Sequence, residues 1–356
     1  MCEAGRPVPS GPRETHRTGR QTRRGDVLLF ALFILVTLSG LGACQAPEPP
    51  LRVATSQWIG YQPLHLAEEH ALFPTEQIRL VSFGSNTETL RAFRNGNVEV
   101  AALTLDEALQ LRDVGHDARV ILVMDYSEGA DSIIARPDIE RLEDLRGRRV
   151  GVESTAATAY LLSRALEFGG LTADDIEVVH LHISRQEQAW LNGQVDALAT
   201  YEPLRTRLLE QGARELFSSR QMPGEIVDVL VTRARVIEDR PQGLAHLIEG
   251  WFAAIDYLDD HPRDAADSMA RHAGLSRQGL EQALTGIHLP SQAENCRLLA
   301  QGGEALQTTA RRLYTLMQQR ALVFSEHPPL EQLFDDRVLR GLNCHPEPRD
   351  QGDGRP

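Results

Sequence analysis

Lysine is missing from this 356-residue chain, so all 37 of its basic side chains are arginine. Without lysine there is no Schiff-base amine and no P-loop lysine to hold a phosphate. The patterns GxSxG, HExxH, CxxC and GxGxxG are absent too, so no position is assigned a catalytic role and no cofactor is implied. Positive charge is scarce: 50 acids leave a net charge of −13. That balance argues against nucleic acid as a partner and against electrostatic docking on anionic lipid. Histidine shows no metal pattern. His65 and His70 are five apart, off the spacing of a helical metal pair, and read as surface; His180 and His182 read as a half-exposed strand edge. Aromatics make up only 5 % of the chain.

The one long apolar run, Val27 to Leu41, follows Arg17, Arg20, Arg23 and Arg24 and ends in Leu41-Gly42-Ala43-Cys44. A basic stretch, a short apolar core and small residues before a cut site describe a secretory signal, here residues 1–43. The run is shorter than the ~20 residues that span a bilayer. Leu-Gly-Ala-Cys resembles the lipobox of bacterial lipoproteins, which makes Cys44 the acylated residue and 44–50 a Pro-rich tether. Cys2 would leave with the signal, so Cys296 and Cys344 remain as a pair able to form a disulfide in an oxidising compartment.

Residues 91–104, RAFRNGNVEVAALT, return 97 places later as 188–201, QAWLNGQVDALATY. Arg52-Val53-Ala54 and Arg149-Val150-Gly151 each lie 43 residues before the matching Asn. One α/β unit used twice makes two lobes with a cleft between them, where small ligands tend to bind. The periodicities predict β-α-β-α-β from Leu51 to about Thr104, a crossing at Tyr126 to Gly129, a second unit from Arg149, and helices from Pro241 to about Leu322. We expect an α/β chain with mostly parallel sheets: 51–124 and 233–345 as the first lobe, 125–232 as the second, and 346–356 as a disordered tail.

Thr55-Ser56-Gln57-Trp58-Ile59-Gly60-Tyr61-Gln62-Pro63-Leu64 resembles the opening of the nitrate/sulfonate/taurine-type solute-binding proteins, a group that includes binders of thiamine-pyrimidine precursors. Asn95-Gly96 with 101–108, Asp144 to Val152, and Asn192-Gly193 with Tyr201-Glu202-Pro203 extend the resemblance over about 51–322. It implies the two-lobed periplasmic-binding type II fold, whose lobes close on ligand and deliver it to the permease and ATPase of an ABC importer. A monomer on a lipid anchor fits that role. A module presenting its ligand to a membrane sensor needs the same clamp. Pyrimidine-synthase relatives do chemistry on this fold, but their Cys-rich iron motif has no counterpart here.

In such a fold the ligand sits at the carboxyl ends of strands. The residues expected there are Ser56, Gln57, Trp58, Tyr61, Ser85, Asn86, Thr104, Asp106, Asp125, Tyr126, Ser154, Thr155, Tyr201 and Glu202. Helix N-termini could hold an anion without Lys or Arg. The charged side chains expected nearby, Asp106, Asp125, Asp131 and Glu202, are nonetheless all acidic, and Trp58, Tyr61, Tyr126 and Tyr201 offer flat faces. The expected ligand is therefore a neutral or cationic nitrogen compound rather than a sulfonate or nitrate. Asp228 is expected in a salt bridge.

Overall fold

The computed structural model describes residues 48–153, 156–342 and 344. The signal segment, Cys44, Ser154, Thr155 and the C-terminal tail lie outside the described residues. The chain runs β1 (Leu51–Thr55), α1 (Gln62–Glu69), β2 (Ile78–Ser82), α2 (Asn86–Arg94), β3 (Val100–Thr104), α3 (Leu105–Asp113) and β4 (Arg119–Ser127). Next come β5 (Asp131–Ala135), β6 (Arg149–Val152), α4 (Ala156–Phe168), β7 (Glu177–His180), α5 (Ile183–Leu191), β8 (Ala197–Tyr201), α6 (Leu204–Glu210) and β9 (Arg214–Ser218). After β10 (Val227–Thr232) the chain is mostly helical: α7 (Ala234–Asp239), α8 (Pro241–Asp260), α9 (Pro262–Ala273), α10 (Arg277–Leu284), the short β11 (Ile287–His288) and α11 (Gln292–Gln319).

The Asn-Gly sites show how local sequence sets this order. Past α2, Gly96 takes φ +72°; its N–H donates to Phe93 O at 2.9 Å, and the Asn97 N–H donates to Ala92 O at 3.0 Å. Past α5, Gly193 takes φ +67°, and the corresponding bonds to Trp190 O and Ala189 O measure 3.1 and 2.9 Å. This paired closure requires a left-handed residue after the helix, which glycine adopts without a Cβ penalty. Each helix thus ends where its strand must begin.

Two sheets result, in the orders β11-β4-β10-β3-β1-β2 and β7-β6-β8-β5-β9. In each, the repeated unit gives three parallel strands, β2-β1-β3 and β7-β6-β8, and one strand from the crossing region packs antiparallel beside them. The 97-residue offset extends to those crossing strands. Asp131 of β5 faces Tyr201, and Asp228 of β10 faces Thr104, 97 residues from each counterpart. β3, β5 and β8 are buried along their full lengths, as expected of central strands covered on both faces.

Two expectations need correction. β4 runs on through Tyr126 and Ser127, so the crossing falls at 128–130. β10 lies in the middle of the first sheet and not in the second lobe, because its two edges pair with β3 and β4. The C-terminal helices pack on the first sheet: Asn295 of α11 accepts from Val123 N–H at 2.8 Å and donates to Val123 O at 3.0 Å. Cys296 and Cys344 are disulfide-bonded, with Cα atoms 5.4 Å apart, and pin the chain after the last helix to α11.

Candidate functional site

The site grows from the chain that follows β1. A short turn, Ile59–Tyr61, carries Trp58 and Tyr61 over the end of the first sheet. Trp58 donates its indole N–H to Asp125 (3.1 and 3.3 Å), and the Tyr61 hydroxyl donates to Asp228. The turn lies so close that a Cβ on Gly60 would sit 2.1 Å from Asp125 Oδ2 and 2.5 Å from Trp58 Nε1. Glycine is required there by the approach itself, since there is no room for a methyl group.

From the second sheet, Tyr201 meets Trp58 edge to face, with ring centroids 5.8 Å apart and planes at 73°. Its hydroxyl donates to Glu153 at 3.4 Å. Trp58, Asn86, Thr104, Asp131, Tyr201 and Asp228 border a cavity of about 20 Å³ between the two sheets. That volume admits a single water. Nothing larger than a water fits this cavity as it stands. Larger hollows of about 800 and 520 Å³ are open surface depressions elsewhere. In the first of them, Arg119, Arg337 and Arg340 are already matched to Asp117, Asp335 and Asp336.

Ser85 caps α2 and, at 2.8 Å, meets His182, the cap of α5 and its counterpart 97 residues on. Beside it, Thr87 donates to Glu153 at 3.3 Å, and His182 approaches Glu153 at 3.8 Å.

Asp106, Asp125, Asp131 and Asp228 are all buried, and among the described residues no arginine or histidine forms an ion pair with them. Burial raises Asp106 to about 6 and Asp131 to about 7. Asp125 rises to about 8 through burial, against the pull of the Trp58 N–H. Glu107 reaches about 8 through burial and the charge of Asp106. Burial, and then the charge of Asp125, hold Asp228 well above the carboxylate range. Several of these groups keep their protons near neutral pH when the cleft is empty. Among the described residues, Asp106 Oδ2, Glu107 Oε1 and Asp131 Oδ2 are buried without a hydrogen-bond partner.

Of the residues expected from sequence, Trp58, Asn86, Thr104 and Tyr201 come together around the cavity, with Tyr61 and Asp125 directly behind it. Ser56 donates to Asn86 at 2.6 Å, and Gln57 borders a neighbouring hollow with Tyr201 and Arg207. Asp106 is buried in the first turn of α3. Tyr126 is not brought to the cleft. One residue past Asp125 on β4, it lies on the opposite face and stacks near His288, with centroids 6.1 Å apart. Glu202 is drawn under α6, where Arg205 (2.9 Å) and Thr206 (2.8 Å) occupy its carboxylate.

Ser154 and Thr155 lie outside the described residues. Asp228 forms no salt bridge among them; its partner is the Tyr61 hydroxyl. His65 is buried, not at the surface. It stacks on His272 at 3.6 Å, and burial followed by the His272 charge lowers it to about 3. Sequence reasoning missed Glu107, Glu153 and His182 as cleft residues and left Asp228 outside the site. The 97-residue offset was the signal for two of them: Asp228 answers Asp131, and His182 answers Ser85.

Residues 44–274 match the NMT1-like family. The taurine-binding periplasmic protein of Escherichia coli (strain K12) is 25 % identical over 198 residues, which are 54 % of this chain and 62 % of that protein. Among solved structures, the alkanesulfonate-binding protein SsuA from Xanthomonas axonopodis pv. citri, bound to MOPS, superposes with a TM-score of 0.68 at 21 % identity, covering 82 % of this chain and 99 % of that one. The desulfurization enzyme DSZB also shares the fold, at a TM-score of 0.61 and 18 % identity over 84 % of this chain and all of that one. The fold thus hosts both capture and chemistry, and the site has to decide between them.

Proposed function

The chain belongs to the NMT1-like family, and from that premise we propose that it is an extracytoplasmic solute-binding lipoprotein that captures a nitrogen compound, neutral or cationic, and hands it to an ABC importer. The observation that carries the reading is the cleft itself. Two sheets border one small cavity, walled by Trp58 and Tyr201 and by Asp131 and Asp228, with no cation among the described residues that line it. Once these carboxyls ionise, a sulfonate there would face like charges in a poorly solvated space. A cation or a ring bearing N–H groups would find acceptors and aromatic faces.

The Ser85 hydroxyl meets His182 beside Glu153, but it caps α2 and none of the three lines the cavity, and Cys296 and Cys344 are consumed by their disulfide. This favours capture over turnover. Cys44 would carry the lipid, with 45–50 as the tether.

Melting the purified protein with pyrimidines, amines, taurine, alkanesulfonates and nitrate tests the ligand class. The expected result is a raised Tm with a nitrogen compound, which is recovered unaltered. A rise with alkanesulfonate or nitrate alone would refute the ligand class, and conversion of the bound compound would refute the binding role. Cys44→Ala is expected to move the protein from the membrane to the soluble fraction; persistent membrane association would refute the anchor.

A further inference from the structure

Asp131 and Asp228 occupy matching positions in the two sheets and border the same cavity, yet their surroundings differ. Asp228 is engaged by the Tyr61 hydroxyl. Asp131 is 4 % exposed, and its Oδ2 accepts no hydrogen bond among the described residues. A buried acceptor is stabilised by a donor, and this oxygen borders the cavity from which an N–H group can reach it. Trp58 and Tyr201 meet nearly at right angles on the same cavity, and their π faces favour positive charge. We infer that Asp131 is the counter-ion for a primary or secondary ammonium group of an aliphatic amine, and that amine and proton compete for it. The inference rests on the proposed binding role and narrows its ligand class.

The groups around Asp131 support an ammonium. Ser127 of β4 accepts the Asp131 N–H at 3.2 Å, and Asp106 of α3 and Glu202 add negative charge. Asp125 and Asp228 face it from the first sheet, and Tyr201 with Glu153 from the second. Arg205, which reaches Ser132 next to this group, is committed to Glu202 and Glu215. A sulfonate therefore meets Asp131 and Asp228 at the cavity wall, with like charge once they ionise. A quaternary ammonium brings charge but no N–H for Oδ2, so it satisfies only half of the site.

Burial raises Asp131 to about 7, so in the empty cleft at pH 6 its carboxyl is mostly protonated. The amine enters as R–NH₃⁺, the carboxyl releases H⁺ to solvent, and the ion pair forms without any change in the amine. Affinity should then fall by about tenfold per pH unit below the Asp131 titration and level off above it.

Calorimetry on the purified protein tests this with ethylammonium, butylammonium, butyltrimethylammonium, butanesulfonate and uracil as probes. At pH 6, in buffers of differing ionisation enthalpy, a primary alkylammonium should bind with release of about one proton, and its trimethylated form at least about tenfold more weakly. Asp131→Asn should abolish the ammonium response. The proton count is taken on the unaltered protein and stands even if the variant does not fold. No binding by either primary amine, no proton release, or equal binding of the trimethylated form would overturn the inference. Uracil binding independent of pH, with both amines silent, would overturn it while leaving the proposed function in place. Butanesulfonate binding would overturn both.

Discussion

Acidic side chains at the two ends of the strands have opposite fates. At the far end from the cleft, each lobe carries the same clamp: Arg52 grips Glu99 and Arg149 grips Asp196, 47 residues apart in both lobes. In each clamp the carboxylate also accepts the backbone N–H of its arginine, at 2.9 and 3.0 Å. Burial alone would raise Glu99, but the Arg52 hydrogen bonds outweigh it and hold the group below its ordinary range; the Arg149 hydrogen bond does the same for Asp196. At the cleft end, Asp106, Asp125, Asp131 and Asp228 have no arginine, and burial raises them all. A carboxylate is held ionised or kept protonated according to whether a guanidinium stands beside it.

The signs follow by linkage. Glu99, depressed when folded, contributes stability that is present above the unfolded carboxylate pKa and lost as pH falls through the folded one. Asp131, raised when folded, contributes stability that is present below about 4, where both states are protonated. That contribution is lost as pH rises toward about 7, because the native state holds a proton the unfolded chain has released. The two ends therefore pull the pH profile of the empty protein in opposite directions.

The largest test of this contrast is Gly60→Ala. The new methyl must push Asp125 away from Trp58, and we expect a loss of about 3 kcal/mol by denaturant titration. A loss under ~0.5 kcal/mol would mean the cleft end is loosely packed. Next, Asp131→Asn should raise the stability of the empty protein above pH 7 by about 2 kcal/mol and flatten its decline between about pH 4 and 7. Destabilisation at pH 8 would place Asp131 among the anchors. Glu99→Gln should cost about 1 kcal/mol at pH 7, discounted for partial exposure, and flatten the acid limb instead. An unchanged acid limb would remove the clamp from the contrast. The smallest effect is expected from His182→Ala, which deletes the Ser85 contact between the lobes: about 0.5–1 kcal/mol, seen as faster ligand release in stopped flow. A release rate equal to that of the parent protein would refute its part in closure.

Much of the fold was legible because its signals are local. Asn95-Gly96 and Asn192-Gly193 end helices by backbone geometry alone, and the strands after them follow in register. β10 was assigned to the wrong lobe because its position depends on pairing with β3 and β4, more than a hundred residues earlier in the chain, and nothing in Val227–Thr232 encodes that. Trp58, Thr104 and Tyr201 were found at the cavity because strand ends are predictable. Tyr126 was misjudged because the alternation along β4 turns it away from Asp125, and extending the strand by two residues would have shown this. Glu202 was misjudged because Arg205, one helical turn later, lies within its reach. His65 looked exposed beside Glu68 and Glu69, yet its ring lies under His272 of a helix two hundred residues away.

The turn at Ile59–Tyr61 also implies an order of events. Trp58 and Tyr61 are held by Asp125 and Asp228 of their own lobe, so that face is set before any guest arrives. Tyr201 and Asp131, from the opposite sheet, complete the chamber only when the halves meet. Under the proposed binding role, arrival on the prepared face and capture by the opposite one would be separate kinetic steps, with selectivity exercised at the second.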